Sequence, residues 1–413
     1  MQLQIPIEAK AALLLYHAPS DLCESGLPDH VCPRFQRVTN MLRILSVSLV
    51  SITFLAAHSS EAAAQQPPVA TAKDPRINKK IIIVRAGAEM KTPQATVWKA
   101  YLGEVFTVTL TNGEWLWIDE KGGWLWEKEA VLFDTAIEEL SGRVTATPTP
   151  ENYHLRGVAL LAHLQYDRAI ADFSESLRRE PRNAGALNNR GQASYLKGDH
   201  KSSIRDFSAA ITLDPKNFLA INNRALAYIE SGDLKAALTD LQFALKLVPE
   251  YPEALNNRGV VHQKLNKLNE AIADFTAALK IDPRYVDALG NRASTWRLKK
   301  DYPRAIADLE QAMKISPRTY EAANDLAWLL ATCTEDSVRH PARALELAKG
   351  ACEITQYKQW NALDTFAAAY AENGQFPEAK QWLGTAIELA PAAEKPRLQR
   401  HLDLVMADKP VRE

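Results

Sequence analysis

The sequence predicts a mainly α-helical protein, a stack of helical hairpins preceded by a small β-barrel. Three observations carry this. Arginine recurs with a 34-residue period at Arg156, Arg190, Arg224, Arg258 and Arg292. A small residue always follows it (Gly157, Gly191, Ala225, Gly259, Ala293), and each unit closes on Pro181, Pro215, Pro249, Pro283 or Pro317. Upstream, across residues 79–133, short β-branched and alternating runs replace the helical pattern. A repeat of this length means stacked supersecondary units.

The physics of one unit explains its columns. Apolar residues fall at helical spacing twice, separated by a turn such as Lys197-Gly198-Asp199 or Ser231-Gly232-Asp233. The Gly or Ala after each arginine lets the second helix approach, where a larger side chain would overpack. That second helix carries Ala169, Ser203, Ala237, Ala271 or Ala305, then Phe173, Phe207, Leu241, Phe275 or Leu309 four residues on. Proline ends it, having no N–H to donate and disfavouring helix in the residue before it. A lone hairpin leaves an apolar face open, so the stack is the stable unit.

Across residues 150–391 these columns, the loops "LDPKN" and "IDPRY" and the opening "NNRG" resemble the tetratricopeptide repeat (TPR) family. The resemblance implies a right-handed superhelix of about seven hairpins whose concave wall, lined by each first helix, binds peptides or protein surfaces. The array is expected over 134–391. A lone helix at 134–143 leads in, and five regular repeats run to Thr319. Longer hairpins follow at 320–355 and 360–391, the extra length falling in "TCTEDSVRHP". A capping helix and tail occupy 392–413.

Residues 41–64 have the layout of a secretory signal peptide: Arg43, an apolar run at 44–57 and Ala62-Ala63-Ala64 before Gln65-Gln66. The apolar run is shorter than the roughly 20 residues that span a bilayer. Residues 1–64 are therefore expected to be an upstream extension plus signal, with Met41 the favoured start and the mature chain beginning near Gln65. That mature chain would be exported to the periplasm or envelope, with no membrane span. Residues 65–78 read as an Ala/Pro/Gln-rich linker.

Residues 79–133 hold five expected strands, with Asn112-Gly113 a hairpin signal between alternating flanks. Gly103-Glu104-Val105, Gly113-Glu114-Trp115 and Gly123-Trp124 resemble the bacterial SH3-like domain. That resemblance implies a binding or spacer module, often in envelope proteins that touch cell-wall peptides. Trp115, Trp117, Trp124 and Trp126 alternate on paired strands. One of each pair is expected in the core and the other half-exposed, with an aromatic ligand platform as the alternative.

A net charge of −1 gives no electrostatic case for nucleic acid. No phosphate loop, dinucleotide fingerprint, zincin motif or nucleophile elbow occurs, and the histidines fall at unrelated repeat positions. No enzyme, metal or cofactor is implied. Cys23 and Cys32 precede the expected mature chain, and Cys333 and Cys352 read as small buried hydrophobes.

Sixteen residues after each arginine stands an aspartate, at Asp172, Asp206, Asp240, Asp274 and Asp308. Five such pairs on the period are expected to form a structural ladder between helices. Asn189, Asn223, Asn257 and Asn291 are expected to join it. The peptide-binding candidates are the residues facing the concave wall: Asn188, Gln192, Tyr195, Asn222, Leu226, Ile229, Asn256, Val260, Gln263 and Arg297. Asn188, Asn222 and Asn256 could offer amides at regular intervals to an extended chain, or tie neighbouring helices together. The expected function is an exported interaction scaffold. The alternative is an envelope protein whose SH3-like domain holds cell-wall peptide while the repeats act as spacer.

Overall fold

The computed structural model describes residues 74–412 apart from 86, 93, 94 and 101, so the extension, the signal segment and most of the linker lie outside the described residues. The described chain divides into two compact units, residues 74–163 and 164–412. Among the described residues no helix is long and apolar enough to cross a membrane.

The first unit holds eight strands, β1 (Lys80–Ile83), β2 (Ala88–Lys91), β3 (Thr96–Ala100), β4 (Val105–Thr107), β5 (Leu110–Asn112), β6 (Trp115–Ile118), β7 (Gly123–Trp126) and β8 (Ala130–Leu132). They form two antiparallel sheets, ordered β4-β1-β8 and β3-β2-β7-β6-β5. The expected five-stranded barrel is not what forms, since neither sheet closes on itself. The break sits between two consecutive residues. The Val108 N–H bonds the Lys79 carbonyl at 3.0 Å, while the Thr109 N–H bonds that of Trp117 at 3.1 Å, in the other sheet. The predicted Asn112-Gly113 hairpin joins β5 to β6, with Gly113 at φ 59°.

Leu116, Ile118 and Leu125 point into this unit's core. All four tryptophans therefore point the other way, and no pair contributes a core member as expected. Trp115 lies opposite Trp126 and Trp117 opposite Trp124. The Trp117 and Trp124 rings meet edge-on at 5.2 Å, and Trp115 is 40% exposed. The end of the expected linker is folded onto this unit, Arg76 reaching Glu127 at 2.7 Å and the Gly113 carbonyl at 2.8 Å. Helices α1 (Ala136–Ala146) and α2 (Pro150–Ala162) group with the strands rather than with the array. Phe133 stacks on His163 at 4.0 Å, which pins the far end of α2 back to the last strand.

The second unit is a run of helices: α3 (Tyr166–Arg179), α4 (Ala184–Lys197), α5 (His200–Leu213), α6 (Phe218–Ser231), α7 (Leu234–Leu247), α8 (Pro252–Lys264), α9 (Leu268–Ile281), α10 (Val286–Leu298), α11 (Tyr302–Ile315), α12 (Glu321–Thr332), α13 (Pro341–Ile354), α14 (Trp360–Glu372), α15 (Phe376–Leu389) and α16 (Lys395–Met406). Asn183, Asp199, Asn217, Asp233 and Asp301 cap their helices by accepting from the backbone N–H three residues on. Gly198 and Gly232 end α4 and α6 in the left-handed conformation that the tight turns require. Each first helix packs on its own second helix, and consecutive first helices also meet, α4 with α6, α6 with α8, α8 with α10 and α12 with α14, the approach of α10 to α12 being looser. The first helices thus line one side of the array, packed closely from α4 to α10 and again from α12 to α14.

The core of each of the four hairpins from α4 to α11 is a small-against-large contact. A methyl group added at Gly191 would sit 2.8 Å from the Phe207 ring, and one at Gly259 would sit 2.6 Å from Phe275. Where the first helix carries Ala225 or Ala293, the second offers Leu241 or Leu309 instead. All four large residues are buried. The array's far end is covered by α16, whose His401 and Arg397 reach the buried Asp364 of α14 at 2.9 and 3.3 Å. Cys333 and Cys352 are buried and unbridged, and burial pushes the Cys352 thiol up to about 12.

Gly259→Ala should destabilise the array by about 1–2 kcal/mol, overpacking outweighing the better helix propensity of alanine. Adding Phe275→Leu should restore stability to within about 1 kcal/mol, because it recreates the Ala/Leu pair found at Ala225 and Leu241. Denaturant melts of the two single variants and the double decide this, additive losses being the contrary result.

Candidate peptide-binding wall

Four of the arginine–aspartate pairs lie within the second unit, and each is a two-pronged ion pair. Arg190 Nε and Nη2 meet Asp206 at 2.7 Å each, and Arg224 meets Asp240 at 2.7 and 2.8 Å. Arg258 meets Asp274 at 3.0 and 2.5 Å, and Arg292 meets Asp308 at 2.8 and 2.7 Å. Arg156 and Asp172 fall in different units. Three guanidiniums carry a further bond to a hydroxyl of the preceding second helix: Arg190 to Ser174, Arg224 to Ser208 and Arg292 to Thr276. Each of these arginines therefore clamps its own hairpin and grips the one before. The hydroxyls were not singled out from the sequence, although they sit one residue after the large apolar column and share its period. At the corresponding place before Arg258 stands Gln242, and here His262 joins instead, its Nδ1 2.9 Å from Asp274.

Asn223, Asn257 and Asn291 were expected in this ladder, but their amides bond elsewhere. They make a separate row along the wall. Asn223 donates to Asn188 at 3.3 Å, Asn257 to Asn222 at 2.9 Å and Asn291 to Asn256 at 3.0 Å. The cause is the close approach of consecutive first helices, which buries both amides and leaves each the other's nearest partner. Asn188, Asn222 and Asn256 are thus buried acceptors between helices, not amides standing clear on a groove surface.

The remaining candidates spread over the same wall. Tyr195, Leu226, Ile229 and Val260 are buried, and burial raises the Tyr195 phenol. Gln263 and Arg297 are half-buried, Gln263 donating to Thr295 at 2.9 Å. Gln192 is 0% exposed, and neither of its amide atoms has a hydrogen-bond partner. The Nδ2 of Asn222 also lacks one.

The asparagine row breaks at α10 and α12. Gly290 stands where Asn256 stood one repeat earlier, and Asp325 stands where Asn291 stood. Beside Asp325 lies a small pocket, lined also by Ser294, Arg297, Trp328 and Leu329. Burial raises the Asp325 carboxyl to about 6, although the positive charge of Arg297 and a bond from Asn324 oppose the rise. Among the described residues no group of histidine, cysteine or acidic side chains could hold a metal ion.

Family models described as tetratricopeptide repeat match residues 154–218 and 252–285, and one described as TPR repeat matches 225–266. Among solved structures the chain is similar to one in the Cut9–Hcn1 hetero-tetramer of APC/C. The identity is 20% and the TM-score 0.51, over 57% of this chain and 46% of that one, just under half its length. A tetratricopeptide repeat protein from Parabacteroides merdae is 18% identical with a TM-score of 0.45, over 66% of this chain and 99% of that one. YrrB, described as a TPR protein with an unusual peptide-binding site, is 23% identical with a TM-score of 0.36, over 46% and 98%. No curated protein matches the sequence.

Arg224→Ala should cost about 2–4 kcal/mol, since it leaves the buried Asp240 without a cation while the guanidinium itself was partly exposed. Arg258→Ala should cost less, because His262 remains on Asp274. Equal losses in denaturant melts would show that the histidine contributes nothing.

Asp325→Asn should stabilise the protein by about 1–3 kcal/mol at pH 7.5. A folded-state carboxyl titrating above its ordinary value binds extra protons between about pH 4 and 6. The native chain therefore loses stability as pH rises through that window, and the asparagine variant escapes the loss. Its advantage in melting temperature should vanish near pH 4.

Proposed function

We propose that this chain, which contains tetratricopeptide repeats, is a non-enzymatic interaction scaffold that holds a protein or peptide partner against the wall of its first helices. One observation carries the reading. Gln192 and Asn222 keep wholly buried amide atoms with no hydrogen-bond partner on that wall, an arrangement that costs about 1–3 kcal/mol for each group left unmade. Reaching them requires the two side chains to turn outward when a partner docks, its backbone N–H and C=O groups then supplying the missing bonds. Leu226, Ile229 and Val260 lie beside them in the wall, and a small pocket lined by Arg297, Asp325 and Trp328 opens between α10 and α12. Export is part of the proposal and rests on the charged start, apolar run and small-residue site of residues 41–64.

A second reading places binding on an SH3-like first unit, with cell-wall peptide as ligand and the repeats as spacer. It is favoured by the four tryptophans that share one outward face of the five-stranded sheet.

The two readings separate on one pair of variants. A Cβ at Gly290 would meet no atom within 4 Å, so Gly290→Trp should occlude the wall without disturbing the fold. Capture of partners from the native host should be lost with Gly290→Trp and retained with the double variant Trp115→Ala, Trp124→Ala. The opposite pattern would establish the second reading.

A further inference from the structure

Three consecutive first helices open with a carboxylate at the same register, Glu253 in α8, Asp287 in α10 and Glu321 in α12. Each lies three residues before Asn256, Gly290 or Asn324, and so on the wall face of its helix. All three are half-buried, and none is paired with a cation among the described residues. Burial raises the Glu253 and Asp287 carboxyls, and Asp287 also feels the charge of Glu321. The Tyr285 phenol lies among them, its own ionisation opposed by burial and by the charges of Asp287 and Glu253. An acid in a helix's first turn is favoured by the macrodipole. That favour does not require half-burial in a continuous row, and α4 and α6 carry Gly185 and Leu219 at the same register.

Two amides point independently to a donor-bearing ligand. Asn324, one turn beyond Glu321, is only 7% exposed, and its Oδ1 accepts no hydrogen bond. Asn361 of α14 occupies the register of the three acids in the following repeat. Its Nδ2 donates to the Tyr320 hydroxyl at 3.4 Å, while its Oδ1 is unpartnered. Among the described residues, the wall from α8 to α14 thus carries three carboxylates with no paired cation, Glu253 accepting only its own backbone N–H, and two amide oxygens that accept nothing. Arg297, set against Asp325, is the cation that faces it.

We propose that this row binds an extended partner segment carrying lysine or arginine side chains, a refinement that rests on the scaffold reading above. Packed helices lie about 8–10 Å apart, and an extended chain advances roughly 3.3 Å per residue. A cationic residue at about every third position would therefore meet successive carboxylates. The intervening backbone N–H groups would satisfy Asn324 and Asn361.

The test titrates the full chain with fluorescently labelled peptides of four Lys-Ala-Ala units, and with the same peptides carrying Gln or Glu in place of Lys. Only the lysine peptide should bind. The combined variant Glu253→Gln, Asp287→Asn, Glu321→Gln should weaken it about tenfold or more. Removing three exposed acids from second helices (Glu346→Gln, Glu378→Gln, Glu388→Gln) should leave the affinity within about twofold. Equal binding of the three peptides, or equal losses from the two triple variants, would overturn the proposal. If no peptide binds while capture from the host is still abolished by Gly290→Trp, the cationic chemistry is wrong and the scaffold reading stands. If capture too is indifferent to Gly290→Trp, both fall.

Discussion

Four hairpins of the array, from α4 to α11, depend on one contact, the small residue of the first helix against the large apolar residue of the second. Gly191 and Gly259 admit phenylalanine rings that any Cβ would strike, and Ala225 and Ala293 are matched by leucine. The summed volume is nearly conserved while its division between the helices alternates. A close-packed interior tolerates that exchange far better than a change on one side alone. Because this contact sets how near the two helices lie, it also sets where every other row of side chains falls.

Two polar rows are registered by it. The arginine row joins each first helix to its own second helix and, through Ser174, Ser208 and Thr276, to the hairpin before. The asparagine row joins first helix to first helix. Neither needs a large net free energy to matter. A buried ion pair roughly offsets its own desolvation, yet a slipped helix would leave a carboxylate or amide buried without its partner. The rows therefore act against wrong registers more than for the right one.

Where the asparagine row stops, the wall changes character. Up to α8 the wall is knitted by amides and apolar residues. From α8 onward half-buried carboxylates join the unpartnered amides that begin with Gln192 and Asn222, and a small pocket opens beside Asp325. Self-satisfied amides stabilise the stack, whereas unsatisfied acceptors are tolerable on a surface that a partner completes. The division of labour runs along the chain of repeats, not between inner and outer helices alone.

The period, the hairpins, their turns and the arginine–aspartate spacing were all legible in the sequence, because each rests on contacts within a turn or within one hairpin, where helical periodicity dictates the neighbours. The longer loop before Pro341 and the terminal helix were legible for the same reason. Tertiary structure decided the rest. Asn223 meets Asn188 instead of the ion-pair ladder because the rotation of adjacent helices about their axes brings the amides together at hydrogen-bonding distance, and no spacing rule encodes that rotation. The carboxylate row shared the visible period, but only its half-burial and lack of cations set it apart from ordinary helix-start acids. In the first unit the strand-rich character and the Asn112-Gly113 turn were readable from alternation, but five strands were expected where eight form. That the chain changes sheets between Val108 and Thr109, and that all four tryptophans turn away from the core, depends on which backbone groups pair across the fold, and alternation along one strand does not say which face another sheet will cover.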